Sequence, residues 1–106
     1  MTTDEMMEEY ARQTEEYCTH KAHRVYLEEY KKSLHAMLMK DAEVAGAKTV
    51  SAQERDASAH EKYKQHLTVL RDAVEREEKA RYHLKRIEME YEIWRTNQAN
   101  ERYITR

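Results

Sequence analysis

Six histidines (His20, His23, His35, His60, His66 and His83) and one cysteine, Cys18, are the residues best suited to metal or nucleophile chemistry in this 106-residue sequence. In a chain rich in Glu, the first chemistry to test is a carboxylate-bridged di-metal site. That site needs a Glu three residues before a core-facing His on a helix. The residues at that spacing are Tyr17, His20, Lys32, Ala57, Tyr63 and Ala80, so the motif is missing. His20 and His23 share a helix side with Glu16 and could chelate a metal, but a pair of surface histidines is the plainer reading. A structural zinc would want further Cys or His ligands, and Cys18 alone lies near. No metal and no cofactor is expected.

Covalent catalysis finds as little support. Cys18 and His20 are two apart and point to different helix sides. Ser33, Ser51 and Ser58 have no neighbouring base with its own orienting group. Gly46-Ala47-Lys48-Thr49 contains Lys-Thr but lacks the upstream glycine of a phosphate loop. Neighbouring acids such as Glu28-Glu29 diverge by about 100° on a helix and are solvated charges rather than an acid/base couple. The expectation is a protein that is not an enzyme.

Arginine mixed with aromatics is a different matter. From Arg71 to Arg106, nine basic residues are interleaved with Tyr82, Tyr91, Trp94 and Tyr103, a mixture that can hold single-stranded nucleic acid by phosphate contacts and base stacking. Eight acids share the segment, so a salt-bridged helix surface with aromatic core residues is the simpler account. If nucleic acid binds, the candidate residues are Lys79, Arg81, Lys85, Arg86 and Arg95.

The elements that would position these side chains are helices. The sequence has no proline, a single glycine and 38% charged residues, a composition that allows few chain reversals and belongs to long helices. The first helix should start near Asp4, capped by Thr2, Thr3 or Asp4, and run to about Val44 or Ala45. Gly46 then stands where a left-handed residue closes a helix. Thr49 and Ser51 are candidate caps for the second helix, and Ser51-Ala52-Gln53-Glu54 matches a capping box. No stop signal follows. The predicted fold is all-α, a long antiparallel two-helix hairpin of coiled-coil type with its turn at 46–50.

On the second helix, Tyr63, Leu67, Leu70 and Val74 follow four-three spacing, and Ala80, Leu84, Ile87, Tyr91 and Trp94 resume it, with Glu77 and Arg81 between the two blocks. Leu67, Leu70, Val74, Leu84, Ile87, Tyr91 and Trp94 are thus the expected core or oligomer residues. The first helix carries Leu27, Tyr30, Leu34, Met37 and Leu38 on one face. Met7, Tyr10, Ala11, Thr14, Cys18 and Val25 lie roughly half a turn away. A break near 19–25, or an arm packed elsewhere, is the expected remedy. The chain therefore reads as an acidic helical arm over 1–23 and a hairpin over 24–106, one structural domain in all. A single hairpin buries little, so a dimer or larger helical bundle is expected.

Charge and hydropathy narrow the partners. The net charge is −2, which argues against bulk electrostatic coating of nucleic acid or anionic membrane. Residues 1–30 hold eight acids against three bases, leaving the remainder mildly basic. No apolar run approaches a membrane span and no signal-peptide pattern opens the chain, so a cytoplasmic protein without a membrane partner is expected. One cysteine forms no intrachain disulfide.

Lys48-Thr49, Gln53-Glu54, Ala57, Tyr63, Leu67, Leu70, Ala73, Glu77, Arg81, Ile93-Trp94-Arg95-Thr96 and Ala99-Asn100 form a pattern that resembles small helical proteins of tailed bacteriophages. Such proteins are encoded beside recombination and replication genes. The resemblance covers roughly residues 24–103 and extends loosely to UvsY-type recombination mediators. It implies a phage protein in the host cytoplasm that is helical, oligomeric and accessory to DNA recombination or replication, with single-stranded DNA and a recombinase as candidate partners. The alternative is a protein-interaction module, an inhibitor or adaptor of a host or phage protein, that binds no nucleic acid.

Overall fold

The computed structural model describes residues 2–104, and among them every regular element is a helix. Helix α1 spans Thr3–Val44, α2 spans Val50–Ala59 and α3 spans Glu61–Ile104. Arg106, the last base of the aromatic-laced segment, lies outside the described residues.

The helix ends are set by local chemistry. Thr2 caps α1: its hydroxyl accepts from the Glu5 amide at 3.1 Å, and the Glu5 carboxylate accepts from the Thr2 amide at 3.3 Å. This reciprocal pair is a capping box, formed at Thr2–Glu5 and not at Ser51–Glu54. At the other end, the Ala47 amide donates to the Ala42 carbonyl at 2.9 Å and the Gly46 amide to the Glu43 carbonyl at 3.1 Å. These two bonds make a Schellman closure, which requires a left-handed residue at Gly46; its φ is +117°. Thr49 then caps α2 by accepting from the Ala52 amide at 3.1 Å. Ser51 lies inside the first turn, which is why its box does not form. The Gln53 side-chain amide donates to the Ala47 carbonyl at 3.0 Å and ties the turn together.

The sequence offers no break after Ser51, yet the chain is interrupted at His60. That residue has φ −68° and ψ 140°, closing α2 with a bond from its amide to the Ala57 carbonyl. Its ring Nδ1 accepts from the Lys62 amide at 3.0 Å and opens α3. One histidine is C-cap to one helix and N-cap to the next, which lets the backbone turn without glycine or proline.

Two compact units divide the chain, one made of residues up to His20 with those from Arg76 onward, the other of Lys21–Glu75. Each therefore draws on both long helices. In the Lys21–Glu75 unit, Leu34, Leu38 and Ala57 form the core, with Met39 and Tyr63 packed against it. The His66 Nε2–H donates to the Leu27 carbonyl at 2.8 Å and its ring lies 5.4 Å from that of Tyr30. In the other unit Met6 and Ala80 are buried, and the Tyr10 hydroxyl donates to the Glu88 carboxylate at 3.0 Å.

Burial along α1 corrects the two-face expectation. Gln13, Tyr17, His20, Arg24, Leu27, Lys31, Leu34 and Leu38 alternate by four and three residues, and each is buried or half-buried. The stripe is continuous and α1 is uninterrupted through 19–25. Its first half is polar, so apolar residues there mark a different side, where Ala11, Cys18 and Val25 are exposed. Helix α3 shows the same repeat through Tyr63, His66, Leu70, Ala73, Glu77, Ala80, Leu84 and Ile87, the spacing of a coiled-coil seam. The seam is not interrupted between the two blocks, because Glu77 itself occupies it and is 6% exposed. Leu67 and Val74 stand one position beside the seam and remain 41% and 38% exposed; His66 and Ala73 hold the buried places expected for them.

Candidate interaction surface

The five basic candidates all lie on α3. Lys79 and Arg86 are one heptad apart and share a side; Arg81 and Arg95 are two heptads apart and share another. Lys85 falls between them; Lys79, Lys85, Arg86 and Arg95 are exposed, whereas Arg81, next to Ala80 of the seam, is half-buried. At the centre is Tyr82, with the Arg81 guanidinium 4.6 Å and the Lys85 ammonium 5.0 Å from its ring centroid. Cations at this distance are attracted by the ring face.

Arg81 and Arg95 have carboxylate partners on their own helix. Arg81 donates to Glu78 at 2.7 Å and Arg95 to Glu92 at 2.8 Å. The bond to Glu78 is the main cause of a raised Arg81 pKa, against the smaller opposing effect of desolvation. Stretching over Tyr82 towards Glu78 leaves the Arg81 Nε buried without a hydrogen-bond partner. The charge that this face offers a phosphate backbone therefore rests more on Lys85 and Arg86 than on Arg81 and Arg95.

Of the expected core or oligomer residues, Leu70, Leu84, Ile87 and Trp94 are half-buried, while Tyr91 is at the margin of exposure. Tyr91 and Trp94 stack with ring centroids 6.0 Å apart. Tyr91 also lines a groove of about 500 Å³, together with Met6, Met7 and Tyr10 from α1 and Ile87, Glu88 and Glu92 from α3. Tyr10, on its rim, has a raised pKa because its hydroxyl donates to Glu88, and the charge of Glu88 adds to the effect. A second groove, of about 360 Å³, sets Gln13, Glu16 and His20 opposite Arg76, Lys79, Ala80 and His83, with His20 Nε2 3.8 Å from the Glu16 carboxylate.

No family model, no curated protein and no solved structure matches the chain.

The hairpin also makes a pairing that residue spacing did not reveal. His35 Nε2 lies 3.2 Å from the Ser58 hydroxyl, with Tyr63 edge-on to the imidazole at 5.4 Å. Twenty-three positions separate His35 from Ser58, so only knowledge of the hairpin register could have found it. A serine bonded to histidine is the first half of a nucleophile arrangement, which further needs a group orienting the base and donors for an oxyanion. The contact of His35 with Tyr63 is aromatic packing and supplies neither. Among the described residues no group of three or more His, Cys, Asp or Glu is placed to hold a metal ion, and His20, His23 and Glu16 do not form one. Cys18 is free and exposed. No helix among the described residues is long and apolar enough to cross a membrane.

Proposed function

We propose that this protein works by association: a non-enzymatic helical scaffold that binds further copies of itself and a protein partner through apolar surface left open by its own hairpin. The observation that carries this reading is the mismatch between core and surface. The buried apolar residues are Met6, Leu27, Leu34, Leu38, Ala57, Ala73 and Ala80, three of them alanines. Meanwhile Leu67, Val69 and Val74 are exposed in one unit, and Tyr82, Met89, Tyr91 and Ile93 in the other. Helices with so small an internal seam gain stability by pairing with further helices. The resemblance to small helical phage proteins supplies the setting, an accessory role in DNA recombination or replication in the host cytoplasm, with a recombinase or another replication protein as partner.

Direct contact with single-stranded DNA is the second reading. It is favoured by Tyr82, whose exposed ring is flanked by Arg81 and Lys85, with Lys79, Arg86 and Arg95 elsewhere on α3. In the alternative without DNA, the protein is an inhibitor or adaptor of a host or phage protein.

Sedimentation equilibrium tests the scaffold. The wild type is expected to be a dimer or larger at micromolar concentration. Replacing Leu67 and Val74 with Gln is expected to shift it towards monomer while helicity is retained, because both side chains lie outside the intrachain seam. A folded wild-type monomer at that concentration refutes the reading.

A further inference from the structure

The groove beside Tyr91 combines three features that together define a partner. Its apolar lining is adaptable: the buried Met6 and the exposed Met7 are unbranched thioethers, which reshape to fit an inserted side chain at little cost. Its width is bounded by two helices, with Tyr10 on one wall and Ile87 and Tyr91 on the other. Its rim is acidic, with Glu88 and Glu92 one turn apart on α3; Glu92 accepts from Arg95 with one oxygen at 2.8 Å and keeps its second oxygen for a partner's cation.

We propose that this groove receives a basic amphipathic helix of a partner protein, its apolar face inserted between Met7 and Tyr91 and its Lys or Arg residues set against Glu88 and Glu92. The proposal rests on the scaffold reading above and names the class of partner. Helix-in-groove recognition uses apolar anchors at one-turn spacing on an amphipathic helix, and the acidic rim selects the sign of the flanking charge. A second copy of this chain is a poorer occupant. The basic residues of α3 share their face with Glu78 and Glu92, which would meet the acidic rim with like charge. Tyr10, held to Glu88 at 3.0 Å, fixes the carboxylate at the rim before any partner arrives.

The single tryptophan reports on the site without a label, because Trp94 stacks on Tyr91, a wall of the groove. The experiment titrates the full chain with a synthetic amphipathic helix of Leu and Lys, and separately with one of Leu and Glu, following Trp94 emission. The Leu/Lys helix is expected to bind and shift the emission, and the Leu/Glu helix to do neither. The double variant Glu88→Lys/Glu92→Lys should weaken Leu/Lys binding by about tenfold or more and admit the Leu/Glu helix. Met7→Ala, at an exposed position, should weaken binding with helicity unchanged. Glu29→Lys/Glu54→Lys, in the other unit, should leave binding as it was.

Equal weakening by the remote pair, equal binding of both peptides, or no binding at all overturns the proposal. So does dissociation of the wild-type assembly by Glu88→Lys/Glu92→Lys in the absence of peptide, which would give the groove to a second copy. If self-association persists while the groove fails every peptide test, the scaffold reading survives and this site does not.

Discussion

His66 donates from Nε2 to the main-chain carbonyl of Leu27 across 2.8 Å, joining residues thirty-nine positions apart in the chain. The bond fixes the imidazole tautomer, since a carbonyl only accepts. It also sets the register of α3 against α1 within the Lys21–Glu75 unit.

Because Leu27 sits inside α1, its carbonyl keeps a helical partner when the imidazole is removed. Replacing His66 with Leu therefore leaves no buried acceptor unsatisfied, and the lost hydrogen bond, worth about 1 kcal/mol, is offset by apolar burial. His66→Leu is expected to be within about 1 kcal/mol of wild type in chemical denaturation, whereas His66→Ala, which also empties the site, should cost about 2 kcal/mol or more. The polar bond specifies the pairing more than it strengthens it. Broadened Tyr30 and Leu27 NMR signals in His66→Leu would report the loss of that specification.

The break at His60 makes a sharper prediction. Its Nδ1 accepts from the Lys62 amide, as a cap oxygen does at a helix start. His60→Ala should cost about 1 kcal/mol and lower the hydrogen-exchange protection of the Lys62 amide. His60→Asp, which restores an acceptor at the same place, should recover most of both. An undiminished Lys62 amide in His60→Ala would show that the cap contributes nothing.

Tyr10 and Glu88 predict an alkaline effect. Hydrogen bonding to Glu88 and its negative charge hold the Tyr10 phenol protonated above the ordinary value of 10.0. A folded pKa raised above the unfolded one contributes stability that is fully present below the unfolded value and disappears as pH rises through the folded one. The difference in stability between wild type and Tyr10→Phe should thus be constant through neutral pH and vanish in strong alkali. Tyrosinate absorbance, taken as wild type minus Tyr10→Phe, should show the late titration, and Glu88→Gln should bring it back towards the ordinary range.

For the DNA reading, fluorescence anisotropy with a labelled single strand in low salt is the measurement. Lys79→Glu/Lys85→Glu/Arg86→Glu is expected to abolish binding with helicity intact. Arg81→Ala and Arg95→Ala should each have a smaller effect, since their guanidinium groups are already engaged by Glu78 and Glu92. Each phosphate contact contributes about −0.7 to the slope of log affinity against log salt, so a triple variant that leaves both affinity and slope unchanged removes this surface from consideration.

The helical hairpin was legible because its signals are local. The absence of proline, the lone Gly46 and the Thr49 cap each act within a few residues. What was not legible depends on polar residues occupying buried positions. A search for apolar periodicity chose Leu67 because His66 looks like a surface residue, preferred Val74 to the smaller Ala73, and broke the seam at Glu77 for its charge. It read the first half of α1 as facing elsewhere because Gln13, His20 and Arg24 hide the true stripe. The His60 interruption was invisible for a related reason, an imidazole performing what glycine, proline or a hydroxyl usually signals. The His35–Ser58 contact and the acid-rimmed groove arise only once the hairpin register is set, and no spacing along one helix encodes them.

Gly46 has an effect beyond closing a turn. A β-carbon there would meet no atom within 4 Å, so space does not demand glycine; the positive φ alone does. Rebuilding the turn as helix, at Gly46 and at the extended Thr49, would let α1 run on into α2, and the pairings His66–Leu27 and His35–Ser58 would then be available only between two molecules. The hairpin and a strand-exchanged dimer would share the same contacts and differ at a single hinge, a low-cost route to domain swapping. The choice between folding back and exchanging with a neighbour is thereby concentrated in the short turn between Val44 and Val50 and becomes a matter of protein concentration.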